Sequence, residues 1–96
     1  MTLLSDAEIE QHLTETGGWH RGEGSSIVRE LHFADFAAAI AFVNRVAELA
    51  EAANHHPDIL VHGWNNVRLE LSTHSEAGLT AADFKLAGQI DRLEPA

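Results

Sequence analysis

The sequence has no cysteine, no tyrosine, one methionine and two prolines among its 96 residues. Without cysteine there is no disulfide framework, no iron–sulfur cluster and no thiolate zinc site, and nothing asks for an oxidising compartment. Basic side chains are scarce too: six Lys and Arg stand against fifteen Asp and Glu, a formal charge of −9. A surface of that sign repels nucleic-acid phosphates and anionic lipid, so direct nucleic-acid binding is not expected. The opening Met1-Thr2-Leu3-Leu4-Ser5-Asp6 reaches an acidic residue before any apolar run develops and has no basic n-region. That excludes a signal peptide or membrane span there and suits a cytoplasmic protein.

What is present fits one domain over residues 1–96, with 45% of the side chains hydrophobic. A chain this short buries only roughly 60 to 70% of its unfolded surface, so a partner subunit is expected to help. Seven histidines are unusual at this length. Histidine is the side chain that passes a proton either way near neutral pH, so their placement matters.

Ser5 and Glu8 form a capping-box pattern, stapled by Leu4 and Ile9, which predicts a helix from Asp6 to Thr14 ended by Gly17-Gly18. Two strands follow, Trp19 to Glu23 and Ile27 to Phe33, with Arg29 a polar exception on the Ile27/Leu31/Phe33 face. The stretch Asp35 to Ala53 reads as a long helix with two adjoining apolar stripes. Phe36, Ile40, Val43, Ala47 and Ala50 form one; Ala39, Phe42, Val46 and Leu49 form the other. That surface is wider than one sheet contact needs, so a helix of another subunit is expected to cover the remainder. Pro57 is expected to break the helix within Asn54-His55-His56, because a residue before proline disfavours the α region. Ile59 to His62 is a short strand, and after Gly63-Trp64-Asn65-Asn66 the alternation of Val67, Leu69, Leu71 and Thr73 with polar residues predicts a half-buried strand. Thr80 and Asp83 form a second capping box, opening a helix to about Leu93, and Glu94-Pro95-Ala96 reads as a frayed end. The order α-β-β-α-β-β-α predicts an α+β fold, a four-stranded antiparallel sheet with three helices on one face.

His55 and His56 fall at a helix-to-strand junction and His74 at the end of the cleanest strand, so two chain breaks can meet at one rim of the sheet. The spacing is Glu51, three residues, His55-His56-Pro57, six residues, Trp64, nine residues, His74, eight residues, Asp83. This pattern resembles the signature of the pterin-4a-carbinolamine dehydratases. Leu71-Ser72-Thr73-His74, Ala77-Gly78-Leu79, Gly18-Trp19 and His32-Phe33-Ala34-Asp35-Phe36 extend the likeness over nearly the whole chain.

The resemblance implies a hydro-lyase that converts 4a-hydroxytetrahydropterin to quinonoid dihydropterin and water, recycling the cofactor of aromatic amino acid hydroxylases. It implies no metal and no organic cofactor, and assembly as a homodimer or homotetramer. His55 and His74 would be an interchangeable acid/base pair and His56 the residue that positions the pterin. Glu51 would orient or charge-stabilise a histidine, while Asn54, Ser72, Thr73 and Ser75 would line the ring and Trp19 supply an aromatic wall. Asn54 departs from the acidic residue common at its position. Pro57, Trp64 and Asp83 read as structural members of the motif: a helix stop, a packing residue and a cap. His12, His20, His32 and His62 lie outside the motif and read as solvated.

Two rival readings accompany this one. Three histidines also suggest zinc, but an adjacent His-His pair rarely turns both rings to one ion, and neither a His-x-x-x-His pair nor a cysteine accompanies them. A non-catalytic interaction module is the other, since relatives of this fold serve as a dimerisation cofactor for a homeodomain transcription factor or as a Rubisco assembly factor. Such a scaffold has no need of all three histidines.

Overall fold

The computed structural model describes residues 2–93, so the expected frayed end at Glu94-Pro95-Ala96 lies outside the described residues. The elements are α1 (Asp6–Thr14), β1 (His20–Arg21), β2 (Ile27–His32), α2 (Phe36–Ala53), β3 (Asp58–His62), β4 (Asn66–Leu71) and α3 (Ala81–Asp91), with a 3₁₀ turn at His74–Glu76. The sheet is antiparallel throughout, in the order β1-β2-β4-β3. This is the predicted α+β architecture.

Register explains the layering. Ile27 pairs with Leu71, Arg29 with Leu69, Leu31 with Val67, and on the far side Ile59 with Leu69 and Val61 with Val67. Odd-numbered strand residues therefore share one face, and the apolar ones join Ala39, Phe42 and Val46 of α2 and Leu86, Ala87 and Ile90 of α3 in one cluster. Phe42 is fully buried, and its truncation to Ala should cost about 3–5 kcal/mol. Even-numbered residues face the other way, and most of them are polar: Glu30, His32, Asn66, Arg68, Glu70, Asp58 and His62.

Several expectations are corrected by tertiary context. The first strand shrinks to His20–Arg21 because Trp19 is in the core and Gly22 N–H already bonds the Ser26 carbonyl, closing the turn. Arg29 does not break the buried face, because its guanidinium meets Asp91 of α3, which also accepts the Trp19 indole N–H at 2.8 Å. Gly18 lies against that guanidinium at φ +93°, where a Cβ would sit 3.2 Å from Arg29 Nε. Of the two stripes on α2, the one carrying Ala39, Phe42 and Val46 is buried together with Ala50. Phe36 is 53% exposed and Ala47 faces solvent. Pro57 is not what stops α2. Asn54 does so, adopting the left-handed conformation (φ 52°, ψ 44°) while its N–H and that of His55 bond back to Glu51 and Ala50. Asparagine tolerates that conformation better than most side chains, and the paired bonds are those of a Schellman cap.

His32 is not simply solvated. Its ring nitrogens meet Asn66 Oδ1 at 2.8 Å and Asn65 Nδ2 at 3.2 Å, and buried Asn65 also donates to the Phe33 carbonyl at 2.9 Å. His12 is half-buried and stacks on Phe84, with centroids 4.8 Å apart. His20 and His62 are exposed, as expected.

Candidate active site

The junction after α2 sends two neighbouring histidines into different surroundings. Beyond the cap at Asn54 the chain is neither helix nor strand until β3 begins at Asp58, and Pro57 disfavours the α region for His56. His55 turns toward the helices: its Nε2 lies 2.7 Å from Asp83 Oδ1, with the imidazole 14% exposed and the carboxylate fully buried. His56 turns outward, its Nε2 lying 2.5 Å from Glu51 Oε2, at side-chain exposures of 57% and 76%. Glu51 thus does meet a histidine, and it is His56. An ion pair so exposed contributes about 0–1 kcal/mol.

Asp83 connects the two chain breaks. Its Oδ2 accepts from Thr73 Oγ1 at 2.7 Å and from Thr80 N at 2.9 Å, while Thr73 and Thr80 hydroxyls lie 2.8 Å apart. Thr73 is the residue before His74. Two hydrogen bonds therefore lead from the His55 ring to the base of the turn that carries His74. That turn begins after the strand, not in it: β4 ends at Leu71, and the bridge of Thr73 with Gly78 closes a loop around the 3₁₀ turn. The capping role expected of Asp83 is present, since the Thr80/Asp83 box forms. What spacing did not reveal is that the second oxygen of the same carboxylate holds His55.

Two cavities flank the rim. The larger, about 890 Å³, lies between the N-terminal segment, the end of α2 and the start of α3; His55, Leu49, Ala53, Thr80, Lys85 and Leu86 are among its walls. The smaller, about 360 Å³, has His74, Ser72, Asp58, Glu70, Glu23 and Ser26 in its walls. Asp58 pairs with Glu70 across β3 and β4 on the open face. The Ser26 hydroxyl donates to Glu70 Oε2 at 2.6 Å and holds its carboxyl below the ordinary value of 4.5; burial works against that shift, and Arg68 adds to it. His55 and His74 therefore border different cavities, one on each side of the rim, joined by the Asp83–Thr73 link.

The other expected site residues are distributed as follows. Ser72 lines the smaller cavity, and Ser75 is exposed on the 3₁₀ turn. Thr73 is buried with its hydroxyl spent on Asp83 and Thr80 and its N–H on Gly78. Asn54 is exposed and lines neither cavity. Trp19 is 5% exposed, bonds Asp91 and lines neither cavity, so its visible contribution is to packing. Pro57 is half-buried at the junction. Trp64, expected to pack, is 61% exposed in a hairpin tip where it and Gly63 both have positive φ. The cavity residues Asp58, Glu70, Glu23 and Lys85 were not expected from the sequence. Asp58 and Glu70 are brought together by strand pairing, and Glu23 joins them from the turn between β1 and β2; Lys85 was visible as the chain's lone lysine. Among the described residues no group of three His, Asp or Glu side chains is arranged to hold a metal ion.

Comparison with known proteins gives this geometry a family. The family model described as Pterin 4 alpha carbinolamine dehydratase matches residues 2–93. The chain belongs to this family. A protein of Chloroflexus aggregans named "Putative pterin-4-alpha-carbinolamine dehydratase" is 50% identical over 97% of this chain and 98% of its own length. A like-named protein of Roseiflexus castenholzii is 53% identical over 95% and 96%. The solved structure of a transcriptional coactivator/pterin dehydratase from Brucella melitensis superposes with a TM-score of 0.91 at 32% identity, covering 96% of this chain and 98% of the other. A pterin dehydratase-like protein identified as a RuBisCO assembly factor in the alpha-carboxysome shares the fold, with a TM-score of 0.68 at 23% identity, over 83% of this chain and 93% of the other. The dehydratase family thus accounts for the whole described chain, the histidine-bearing rim included.

Proposed function

We propose that this protein is a 4a-hydroxytetrahydropterin dehydratase acting on a free pterin at the sheet rim, with His55 and His74 as its acid/base pair. The observation that carries the reading is the Asp83–Thr73 link, which ties the imidazole held on the helix side to the turn bearing the imidazole on the open side. A flat bicyclic ring laid across the rim would meet one histidine on each side. Expelling the 4a hydroxyl requires a proton delivered to the departing oxygen and a base for the hydrogen on the neighbouring ring nitrogen. Each assisted transfer is worth roughly 10² to 10⁴ in rate. His56, outward and steered by Glu51, positions the pterin, with Ser72 and Ser75 alongside. Asn54, Thr73 and Trp19 support that site through the backbone and core.

The reaction needs neither metal nor organic cofactor: the carbinolamine carries its own leaving group, and imidazoles suffice for both proton transfers. In the cytoplasm it would return oxidised pterin to the cycle that serves an aromatic amino acid hydroxylase. The decisive test mixes purified protein with freshly generated 4a-hydroxytetrahydropterin and follows quinonoid product. Acceleration over the uncatalysed rate is expected, and a rate equal to that of buffer sinks the reading.

A second reading is favoured by the solvent side of α2, where Phe36 is 53% exposed and Ala37, Ala41 and Ala47 lie open. That face suits helix-to-helix association into a homodimer or homotetramer, or contact with another protein, and it leaves the rim free. The two roles are compatible. Light scattering distinguishes monomer from assembly.

A further inference from the structure

The capping box of α3 uses only one oxygen of Asp83. Oδ2 accepts from Thr80 N, as the cap requires, and from the Thr73 hydroxyl; Oδ1 takes no part in the cap and faces His55 Nε2 at 2.7 Å. A carboxylate only accepts hydrogen bonds, so Nε2 is the nitrogen that carries hydrogen and the neutral ring keeps its lone pair on Nδ1. Among the described residues nothing hydrogen-bonds His55 Nδ1, and the ring borders the larger cavity. The carboxylate cannot swing away, because it is fully buried and fixed at its other oxygen by two donors.

We propose that Asp83 is a positioning residue that locks the neutral His55 ring in its Nε2–H tautomer, so that Nδ1 is the nitrogen that exchanges a proton with the pterin. This rests on the dehydratase reading above. When the 4a hydroxyl lies on the His74 side, the N5–H proton passes to His55 Nδ1, and the nitrogen's electron pair forms the N5=C4a bond. The C4a–O bond breaks, and the departing hydroxyl takes a proton from His74 to leave as water. Nothing is oxidised or reduced, and the two histidines return to their starting states by one net proton transfer through solvent. The imidazolium formed on His55 faces a carboxylate already in place, as electrostatic preorganisation requires.

Asp83→Asn is the informative substitution. Its amide oxygen can keep the bonds to Thr80 N and Thr73, while its NH₂ is turned to His55 Nε2 and demands the opposite tautomer. On ¹⁵N NMR above the imidazole titration, His55 of the wild-type protein should show a protonated Nε2 and a bare Nδ1, and the variant should reverse them. With substrate, kcat should fall on the order of 10²-fold while KM stays within about three-fold. Ser5→Ala, which weakens the remote cap of α1, serves as a stability control and should keep wild-type kcat. A protonated Nδ1 in the wild-type protein overturns the proposal even if the variant does not fold. So does an Asp83→Asn enzyme whose activity loss follows only its unfolded fraction. A wild-type protein with no dehydratase activity but the expected tautomer would remove the reaction and leave the lock standing.

Discussion

On the helix side of the rim, His55 is 14% exposed and bonded to a carboxylate fully withdrawn from solvent, whereas on the open side His56 is 57% exposed and answers to a Glu51 that is 76% exposed. His74 is exposed as well, on a short 3₁₀ turn. The contrast arises within two adjacent residues and needs no special chemistry: the two rings meet different carboxylates, and only that of His55 is buried. The lesson is that equal residue types in one motif carry different structural obligations. A histidine tied to a buried group is part of the fold, while one facing water is free to serve a ligand alone.

That difference can be broken by experiment. The largest expected effects are on turnover: His55→Ala and His74→Ala should each lower it ten-fold or more, measured with 4a-hydroxytetrahydropterin. Wild-type rates in both would end the acid/base assignment. Next comes stability, where the two should part. His55→Ala leaves Asp83 Oδ1 buried without its donor and should cost about 1–3 kcal/mol in urea unfolding. His74→Ala, on the surface, should stay within about 0.5 kcal/mol. Equal losses would erase the distinction between the two sides. For His56→Ala the change should appear mainly as a raised KM at nearly unchanged kcat, and an unchanged KM removes the positioning role.

The smallest effect concerns the open-side cavity. Ser26→Ala removes the hydroxyl that holds the Glu70 carboxyl below its ordinary 4.5 and should cost about 1 kcal/mol at neutral pH. A carboxyl depressed in the folded state contributes stability above its unfolded value, and that contribution is lost as pH falls through the folded value. Wild type and variant should therefore differ most above the ordinary carboxylate range and converge in acid. A gap that stays constant from pH 7 down to the acid limb would show that the hydroxyl does not act through this charge.

Much of this was legible in the residues because it is local. Capping boxes at Ser5/Glu8 and Thr80/Asp83, and the alternation along Val67 to Thr73, act within a few positions of each other, and all three were found where expected. The family followed from a spacing that runs through both chain breaks. What was hidden depends on distant partners. The answer to Arg29 is Asp91, 62 residues away; the link from Asp83 to His55 spans 28, and Asp58 meets Glu70 only through strand register. The choice between two apolar stripes on α2 was settled by the sheet beneath it, which periodicity alone does not see. The end of α2 at Ala53 was legible, but its cause was not: proline announces a break, and Asn54 makes it three residues earlier through its own backbone.

The chain carries two tryptophans in opposite settings, Trp19 at 5% exposure and Trp64 at 61%, and no tyrosine. Its ultraviolet emission is therefore the sum of one shielded and one water-facing indole, and a soluble quencher will separate them. Replacing Trp64 by Phe leaves Trp19 as a single built-in reporter of unfolding. The difference spectrum then watches the hairpin tip alone, where any blue shift on concentrating the protein would signal a neighbour covering it.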